Sequence, residues 1–327
     1  MIHSQVIGSG GCLPERVVTN EYFEYLVENA DQWIFSRTGI RERRFCREDQ
    51  ATSDLATIAA QNALQSAGVA AEEIDCIILG TSTPDMVLPS TACIVQKNIG
   101  AKNAFAFDIN AVCTSFVYAM EIADSFIASG RYKNVLAIGA DTYSKILDFE
   151  DKNTCPLFGD GAGAVVLRAS DTPGKGILST YMRSDGNGWP LIQVPSSGSR
   201  KPVTAATAAA RENTFKMAGK QVYVFATEVI PEIITELCKK AGVSASDVTY
   251  IIPHQANIRM IEFIAKKFGY PMDRFLLNLD RCGNTSAASV ALAMSENLNN
   301  GVIKPGDLVL TMGFGGGLSW GGLLLQF

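Results

Sequence analysis

The feature that most restricts what this chain can fold into is a repeat inside it. Ala67 to Thr81 (AGVAAEEIDCIILGT) resembles Ala241 to Gln255 (AGVSASDVTYIIPHQ) at an offset of 174, and both read as a helix end, an acidic loop and a buried strand. The same offset relates Gly139, which closes VLAIG, to Gly313, which closes LVLTMG. At an offset of 171, nearly the same, Cys113-Thr114-Ser115 falls opposite Asn284-Thr285-Ser286, each ahead of a helical stretch rich in Ala, Val and Met. Any two α/β units share the order helix, turn, strand, but three concordant echoes favour two copies of one unit, predicted here as residues 1–172 and 173–327. Short β-branched runs (Ile74 to Leu79, Val135 to Ile138) alternate with helical stretches (Ser53 to Ala67, Val222 to Lys240), which sets the class as α/β. No biased linker separates the halves; Pro195 to Thr207 reads as a surface loop, either a flap or an insertion.

Bulk properties narrow the function classes. A chain of 327 residues with 47% hydrophobic content can bury a large core. No apolar stretch approaches the roughly 20 residues of a membrane span, and Met1 to Pro14 lacks the pattern of a secretion signal, so cytoplasm is the expected compartment. The net charge of -5 argues against a nucleic-acid partner. Eight scattered cysteines form no C-x-x-C pair, so neither a zinc site nor a disulfide framework is expected.

Two histidines limit imidazole chemistry, and with His3 near the start of the chain, His254 is the serious candidate. It closes the apolar run Tyr250 to Ile252, at the kind of strand end that opens into an α/β crevice; the structural alternative is an ordinary histidine at a strand end. Cys113 follows the predicted strand Phe105 to Ala111 and precedes a predicted helix over Ser115 to Ser129. A sulfur at a helix N-terminus meets unpaired N–H groups and the positive end of the dipole, which predicts a thiol pKa lowered toward neutrality. Asn284, in Gly283-Asn284-Thr285-Ser286-Ala287-Ala288-Ser289, reads either as a helix cap or as the counterpart of Cys113. The glycine run Gly313 to Gly322 leads toward a final strand predicted over Leu323 to Phe327, and serves either to aim an N–H at a substrate oxygen or to allow close packing. Gly159 to Gly163 (GDGAG) reads as a turn joining strands.

Six segments stand in the order found in the β-ketoacyl-acyl-carrier-protein synthase III family of thiolase-like condensing enzymes, which the chain resembles over nearly its whole length. They are Asp31 to Arg44 (DQWIFSRTGIRERR), the Cys113 segment, Phe158 to Leu167 (FGDGAGAVVL), Pro253 to Met260 (PHQANIRM), GNTSAAS and GFGGGLSWG. The resemblance implies a thiolase-like fold of two related halves in α-β-α-β-α layers. It implies a Cys-His-Asn triad of Cys113, His254 and Asn284, and an oxyanion hole from the N–H groups of Cys113 and Gly316. Coenzyme A recognition is implied for Trp33, Arg37, Lys152, Gly219 and Arg259. Trp33 otherwise packs in the core, and Arg37 otherwise lies on a solvated helix face. Arg259, Lys266 and Lys267 share one helical face, which suits docking of an acidic carrier protein or is an ordinary exposed face. Leu88 matches the position from which a partner subunit closes the acyl pocket, and a homodimer is implied.

The implied reaction is ping-pong: acyl-CoA acylates Cys113, and malonyl-acyl carrier protein then decarboxylates and attacks the acyl group, with no metal and no bound organic cofactor. Thr114-Ser115-Phe116 departs from the family's small residue and glycine before Phe, which predicts a tighter pocket floor; Lys152 stands where Arg is common. A thiolase would need a second cysteine in the Gly313 to Gly322 run, an elongating ketosynthase a second usable histidine, and plant-type polyketide synthases have longer chains. The alternatives carried forward are a specialised-metabolism homologue, acylating a non-malonyl nucleophile or condensing an unusual acyl-CoA, and a non-catalytic carrier-binding scaffold.

Overall fold

The computed structural model describes residues 4–170 and 172–327, so His3 lies outside the described residues. The strands are β1 (Ser4–Cys12), β2 (Arg16–Thr19), β3 (Glu42–Phe45), β4 (Cys76–Gly80), β5 (Phe105–Ile109), β6 (Asn134–Thr142) and β7 (Asp160–Ala169), then β8 (Gly176–Ser184), β9 (Ile192–Gln193), β10 (Lys216–Met217), β11 (Tyr250–Pro253), β12 (Leu308–Gly315) and β13 (Ser319–Gln326). The helices are α1 (Ala30–Thr38), α2 (Thr52–Ala67), α3 (Thr91–Ile99), α4 (Ser115–Ala128), α5 (Ala205–Ala209), α6 (Gly219–Ala241), α7 (Ile258–Phe268), α8 (Leu279–Cys282) and α9 (Ala288–Asn299).

Two sheets carry the repeat. The first has the order β1-β7-β6-β4-β5, antiparallel across its first two pairs and parallel across the last two. The second has the order β8-β13-β12-β11, antiparallel, antiparallel and parallel. Beyond β11, Phe275 bridges Ile251 in parallel, where a fifth strand would stand. Order and sense therefore match position by position.

Between the sheets lie α4 and α9. Phe116, Met120 and Ala123 of α4 and Val290, Ala291 and Met294 of α9 share one core with residues of both sheets. The first turns of both are covered nearly all round, α9 at every residue from Ala288 to Ser295 and α4 from Ser115 to Met120 except Tyr118, and turns covered on every side must be largely apolar, which is why these two segments are rich in Ala, Val and Met. The outer faces are covered by α2 and α3 on the first sheet and by α6 and α7 on the second, giving five layers, α-β-α-β-α. Every residue of β6 and of β12 is buried, and a strand covered on both faces reads as a continuous apolar run. No helix among the described residues is long and apolar enough to cross a membrane.

Two readings of glycine runs are corrected. Gly159 to Gly163 is no turn: Asp160 opens β7, which runs antiparallel between β1 and β6. Its short residues let α9 lie on the strand, since a Cβ on Gly163 would come within 2.5 Å of the Ala291 side chain. Likewise Gly313 to Gly322 is mostly sheet, with Gly313 opposite Gly321 and Gly315 opposite Ser319, so the final strand begins at Ser319 rather than Leu323. Pro195 to Thr207 is exposed over most of its length and runs into α5.

Candidate active site

Both helices of the central layer begin at a sharp elbow. Val112 and Ser286 each have φ 50°, in the left-handed region that residues other than glycine rarely enter. They stand at the same offset of 174 as the strand echoes, so the structural counterpart of Cys113 is Ala287 and not Asn284. The alignment at an offset of 171 is thus corrected by about one helical turn: Thr-Ser pairs at 114 and 285 produced a likeness in sequence that the backbone does not share.

The glycines that close β6 and β12 make room for the elbow of the opposite half. A Cβ on Gly139 would come within 2.3 Å of the Ala287 carbonyl, and one on Gly313 within 3.1 Å of Thr114 Cα. Each strand passes under the other half's elbow, as two units related by an approximate two-fold axis must.

Cys113 sits in a single 3-10 turn between the Val112 elbow and α4. The Ala111 N–H donates to Ser115 Oγ at 2.8 Å, and Ser319 donates its hydroxyl to the Ala111 carbonyl, at 3.0 Å. Thr114 in turn donates its hydroxyl to the Ser319 carbonyl at 3.2 Å, and neither Thr114 nor Ser115 lines either cavity, so the tighter pocket floor expected from their bulk is not seen. The Cys113 Sγ is 3.5 Å from Ser286 Oγ. The predicted lowering of its pKa is overturned: burial pushes the thiol up to about 12, against the pull of the Ser286 hydroxyl. Cys113 is 7% exposed, so loss of hydration outweighs the helix terminus.

His254 follows β11, and its N–H extends the ladder to the Met312 carbonyl at 2.8 Å. Its ring meets Phe314 edge to face at 5.3 Å, and its Nδ1 lies 2.7 Å from Ser289 Oγ on α9. Burial pushes the imidazole down to about 3, so the ring is neutral at pH 7. Asn284 is held between α8 and α9: its N–H donates to Leu157 O at 2.8 Å and its carbonyl accepts from Gly159 N–H at 3.0 Å. The cap residue of α9 is Ala287, so Asn284 is not that helix's cap. Its Oδ1 accepts from the Ser286 N–H at 2.9 Å, which fixes the amide and leaves the NH₂ end to meet a ligand.

Cys113, His254 and Asn284 line one cavity of about 510 Å³, together with Phe314 and Gly315. Trp33, Arg37, Lys152 and Gly219 line it as well, with the Arg37 guanidinium 4.5 Å over the Trp33 ring. Arg259 is not in the wall; it donates to the Ser36 carbonyl at 2.8 Å, tying α7 to α1. Lys266 and Lys267 lie in the last turn of α7, exposed and outside the cavity. Of the glycine turn, Gly315 abuts the sulfur, its notional Cβ 3.1 Å from Sγ, while Gly316 faces Val112 and Ile192.

A second cavity of about 880 Å³ holds Ser82, Met86, Val87 and Tyr143, and shares Ile192 and Phe215 with the first. Leu88 lines neither cavity; it is 81% exposed on the same loop. Residues that sequence reasoning missed are Phe314, Gly315, Ser286, Ser289, Ile192 and Phe215. Ser286 and Ser289 stood inside a quoted motif, and the offset of 174 pairs Ser289 with Ser115.

Comparison with known proteins identifies the family to which this fold belongs. The family model described as 3-oxoacyl-[acyl-carrier-protein (ACP)] synthase III matches residues 107–186, and its C-terminal companion matches residues 238–327. The β-ketoacyl-[acyl-carrier-protein] synthase III of Clostridioides difficile is 48% identical over 322 residues, 98% of each chain. That of Caldanaerobacter subterraneus subsp. tengcongensis is 46% identical over 326 residues, covering 100% of this chain and 98% of that one. Among solved structures, 3-oxoacyl-[acyl-carrier-protein] synthase III from Aquifex aeolicus superposes with a TM-score of 0.90 at 42% identity, over 99% of this chain and 100% of that one. With two family models in register and full-length relatives near half identity, this chain belongs to the β-ketoacyl-[acyl-carrier-protein] synthase III family.

Proposed function

We propose that the chain starts fatty-acid synthesis by decarboxylative condensation of an acyl-CoA with malonyl-acyl carrier protein, giving a β-ketoacyl carrier protein. The observation that carries this reading is the convergence of a thiol, a neutral imidazole and an oriented carboxamide on one deep cavity. Cys113 takes the acyl group from CoA, and the N–H groups of Cys113 and Gly316 hold the acyl oxygen. His254 and Asn284 then hydrogen-bond the malonyl thioester oxygen, where negative charge grows as carbon dioxide leaves. No metal or bound organic cofactor is needed for these steps.

Coenzyme A enters past Trp33, Arg37, Lys152 and Gly219: the indole offers a face to adenine and the cations meet phosphates. Arg259 braces that mouth from α7, and the basic face it shares with Lys266 and Lys267 receives the carrier protein. The chain works in the cytoplasm as a homodimer. The unpaired edge of β5, with Phe105 41% exposed, supports sheet joining, and Leu88, exposed in one copy, reaches the acyl pocket of the other.

Intact and native mass spectrometry test this reading together. Incubation with acetyl-, isobutyryl- and hexanoyl-CoA should add one acyl group to the wild-type chain and none to Cys113→Ala, in a species of twice the 35.1 kDa chain mass. Malonyl carrier protein should then clear the acyl group with release of carbon dioxide. An acyl-enzyme that the malonyl carrier leaves intact would favour acyl transfer to another nucleophile, and a chain that no acyl-CoA modifies would sink the reading.

A further inference from the structure

Two cavities meet beside Cys113, and the wall between them is built in pairs. Cys113 lines the cavity of about 510 Å³, while its neighbour Val112 lines the second, of about 880 Å³. Phe158 faces the first cavity and Tyr143 the second, their rings stacked at 4.6 Å with 9° between the planes. Phe215 closes on both, 5.3 Å from the Tyr143 ring and 4.9 Å from that of Phe158, and it lines both cavities together with Ile192. Rings packed face to face and edge to face leave no passage for an alkyl chain.

The wall is fixed as well as closed. Tyr143 is 1% exposed and opens a 3-10 turn, Tyr143–Lys145, which is pinned where the Ser144 N–H donates to Asp160 Oδ1 at 2.8 Å. At the far end of the ring the phenol oxygen lies 3.2 Å from Ser82 Oγ, on the segment that follows β4. Phe215 is tied to the same turn, its N–H donating to the Ile146 carbonyl at 2.8 Å. A ring held through its backbone and at its oxygen cannot swing aside without breaking both contacts. Burial, with Cys113 and Asp141 close by, holds the phenol well above its usual range, so no charge disturbs the stack.

We propose that Tyr143 is a specificity-determining residue: it seals the cavity of Cys113 from the larger one and so confines the primer to short acyl groups. This rests on the synthase reading above, in which Cys113 carries the primer, and that reading leaves the primer's length open. During transfer the acyl group shares the first cavity with the arm of its CoA donor, so a long alkyl chain finds room only by crossing the wall. Room exists beyond it, with Met86, Val87, Ile146 and Val194 in the lining. The bulk of the stacked ring, rather than its hydroxyl, decides whether that space is open to the primer.

The test is single-turnover acylation of the full chain by acetyl-CoA and by decanoyl-CoA, read by intact mass. Wild type should react with decanoyl-CoA roughly 100-fold more slowly than with acetyl-CoA; comparable rates would overturn the proposal without any variant. In Tyr143→Leu the decanoyl-to-acetyl ratio should rise roughly 10- to 100-fold, the scale on which an apolar pocket discriminates by fit. Tyr143→Phe keeps the stacked ring and should keep the wild-type ratio, and a Phe ratio matching that of Leu would overturn the assignment to bulk. A merely structural role would lower both rates alike and leave the ratio of Tyr143→Leu unchanged, which would also overturn it. Should Tyr143→Leu fail to fold, Phe215→Leu thins the same wall from the side that both cavities share; the same rise is expected there, and an unchanged ratio would count against the wall. Decanoyl-CoA reacting as fast as acetyl-CoA strikes this proposal alone, whereas a chain that no acyl-CoA modifies strikes the synthase reading and the proposal with it.

Discussion

At residue 112 and again at residue 286 the chain enters a buried helix through a non-glycine residue at φ 50°, yet the two elbows are equipped in opposite ways. In the first, the residue after the strained one is Cys113, and the helix serine, Ser115, closes back on the loop by accepting from Ala111 N–H. In the second that place holds Ala287, and the chemistry has moved outward to Asn284, Ser286 and Ser289. The strands beneath differ in step. Gly80 ends β4, with its notional Cβ 2.6 Å from Ser115 Cβ, and His254, its counterpart in the second half, follows β11 and meets Ser289, the counterpart of Ser115. One scaffold has therefore been filled twice. Where the strand ends in glycine the helix presses on bare backbone; where it ends in histidine the same serine receives an imidazole. The proposed nucleophile stands in one half and the groups proposed to act on the substrate oxygen in the other, and all of them line one cavity.

That division of labour can be broken most severely from the second elbow. Asn284→Ala should leave acylation of Cys113 by acyl-CoA near wild type and slow condensation about 10²- to 10³-fold, the cost of one oriented donor to a developing oxyanion. Single-turnover acylation and steady-state release of carbon dioxide measure the two halves separately. Equal loss in both would mean that the elbows do not divide the reaction.

The clearances beneath the elbows sharpen the comparison at the level of folding. Alanine at position 139 would push a Cβ to 2.3 Å from the Ala287 carbonyl, a backbone atom that cannot step aside without moving α9. Alanine at 313 would meet Thr114 Cα at 3.1 Å, a contact relieved by a few tenths of an ångström. Gly139→Ala should thus lose about 1–3 kcal/mol of stability, as overpacked cores do, and Gly313→Ala less. Denaturant midpoints of the two variants decide it, and the reverse order would show that the first elbow is the tighter one.

The fold was largely legible in the sequence because its signals are long and redundant: an echo between the halves at one offset, continuous apolar strands such as Val135 to Ile138, and an apolar central helix after Cys113. What escaped was local. The Gly159 to Gly163 run has the composition of a turn, and only the weight of α9 against Gly163 explains why a strand needs it. The Cys113 register slipped because Thr-Ser pairs mimic each other in two different places, whereas the positive φ that identifies the true counterparts leaves no mark when Val and Ser occupy it. The direction of the thiol shift was missed for a similar reason: a helix terminus can be read from the chain, but the depth at which it is buried cannot. Ser289 was visible as a letter in GNTSAAS, yet its 2.7 Å contact with His254 is made across the molecule.

The smallest effect concerns the two halves as titrating units. His254 in the second half is held at about 3, below the 6.5 of a free imidazole, so the unfolded chain binds a proton that the folded one refuses between those values. Its contribution is complete above about 6.5 and drains as the pH falls toward 3, with a slope of at most about 1.4 kcal/mol per pH unit. Cys113 in the first half acts at the other end: its thiol is held at about 12 against 9, so stability falls as the pH climbs above 9. Urea unfolding of wild type, His254→Gln and Cys113→Ala at pH 5, 7 and 10 separates the two. The histidine variant should lose less stability than wild type between pH 7 and 5 and behave like it above 7, and the cysteine variant should do the converse. If both variants tracked wild type at both ends, neither buried group would be held as its surroundings dictate, and the neutral thiol and imidazole on which the two-elbow division depends would have to be abandoned.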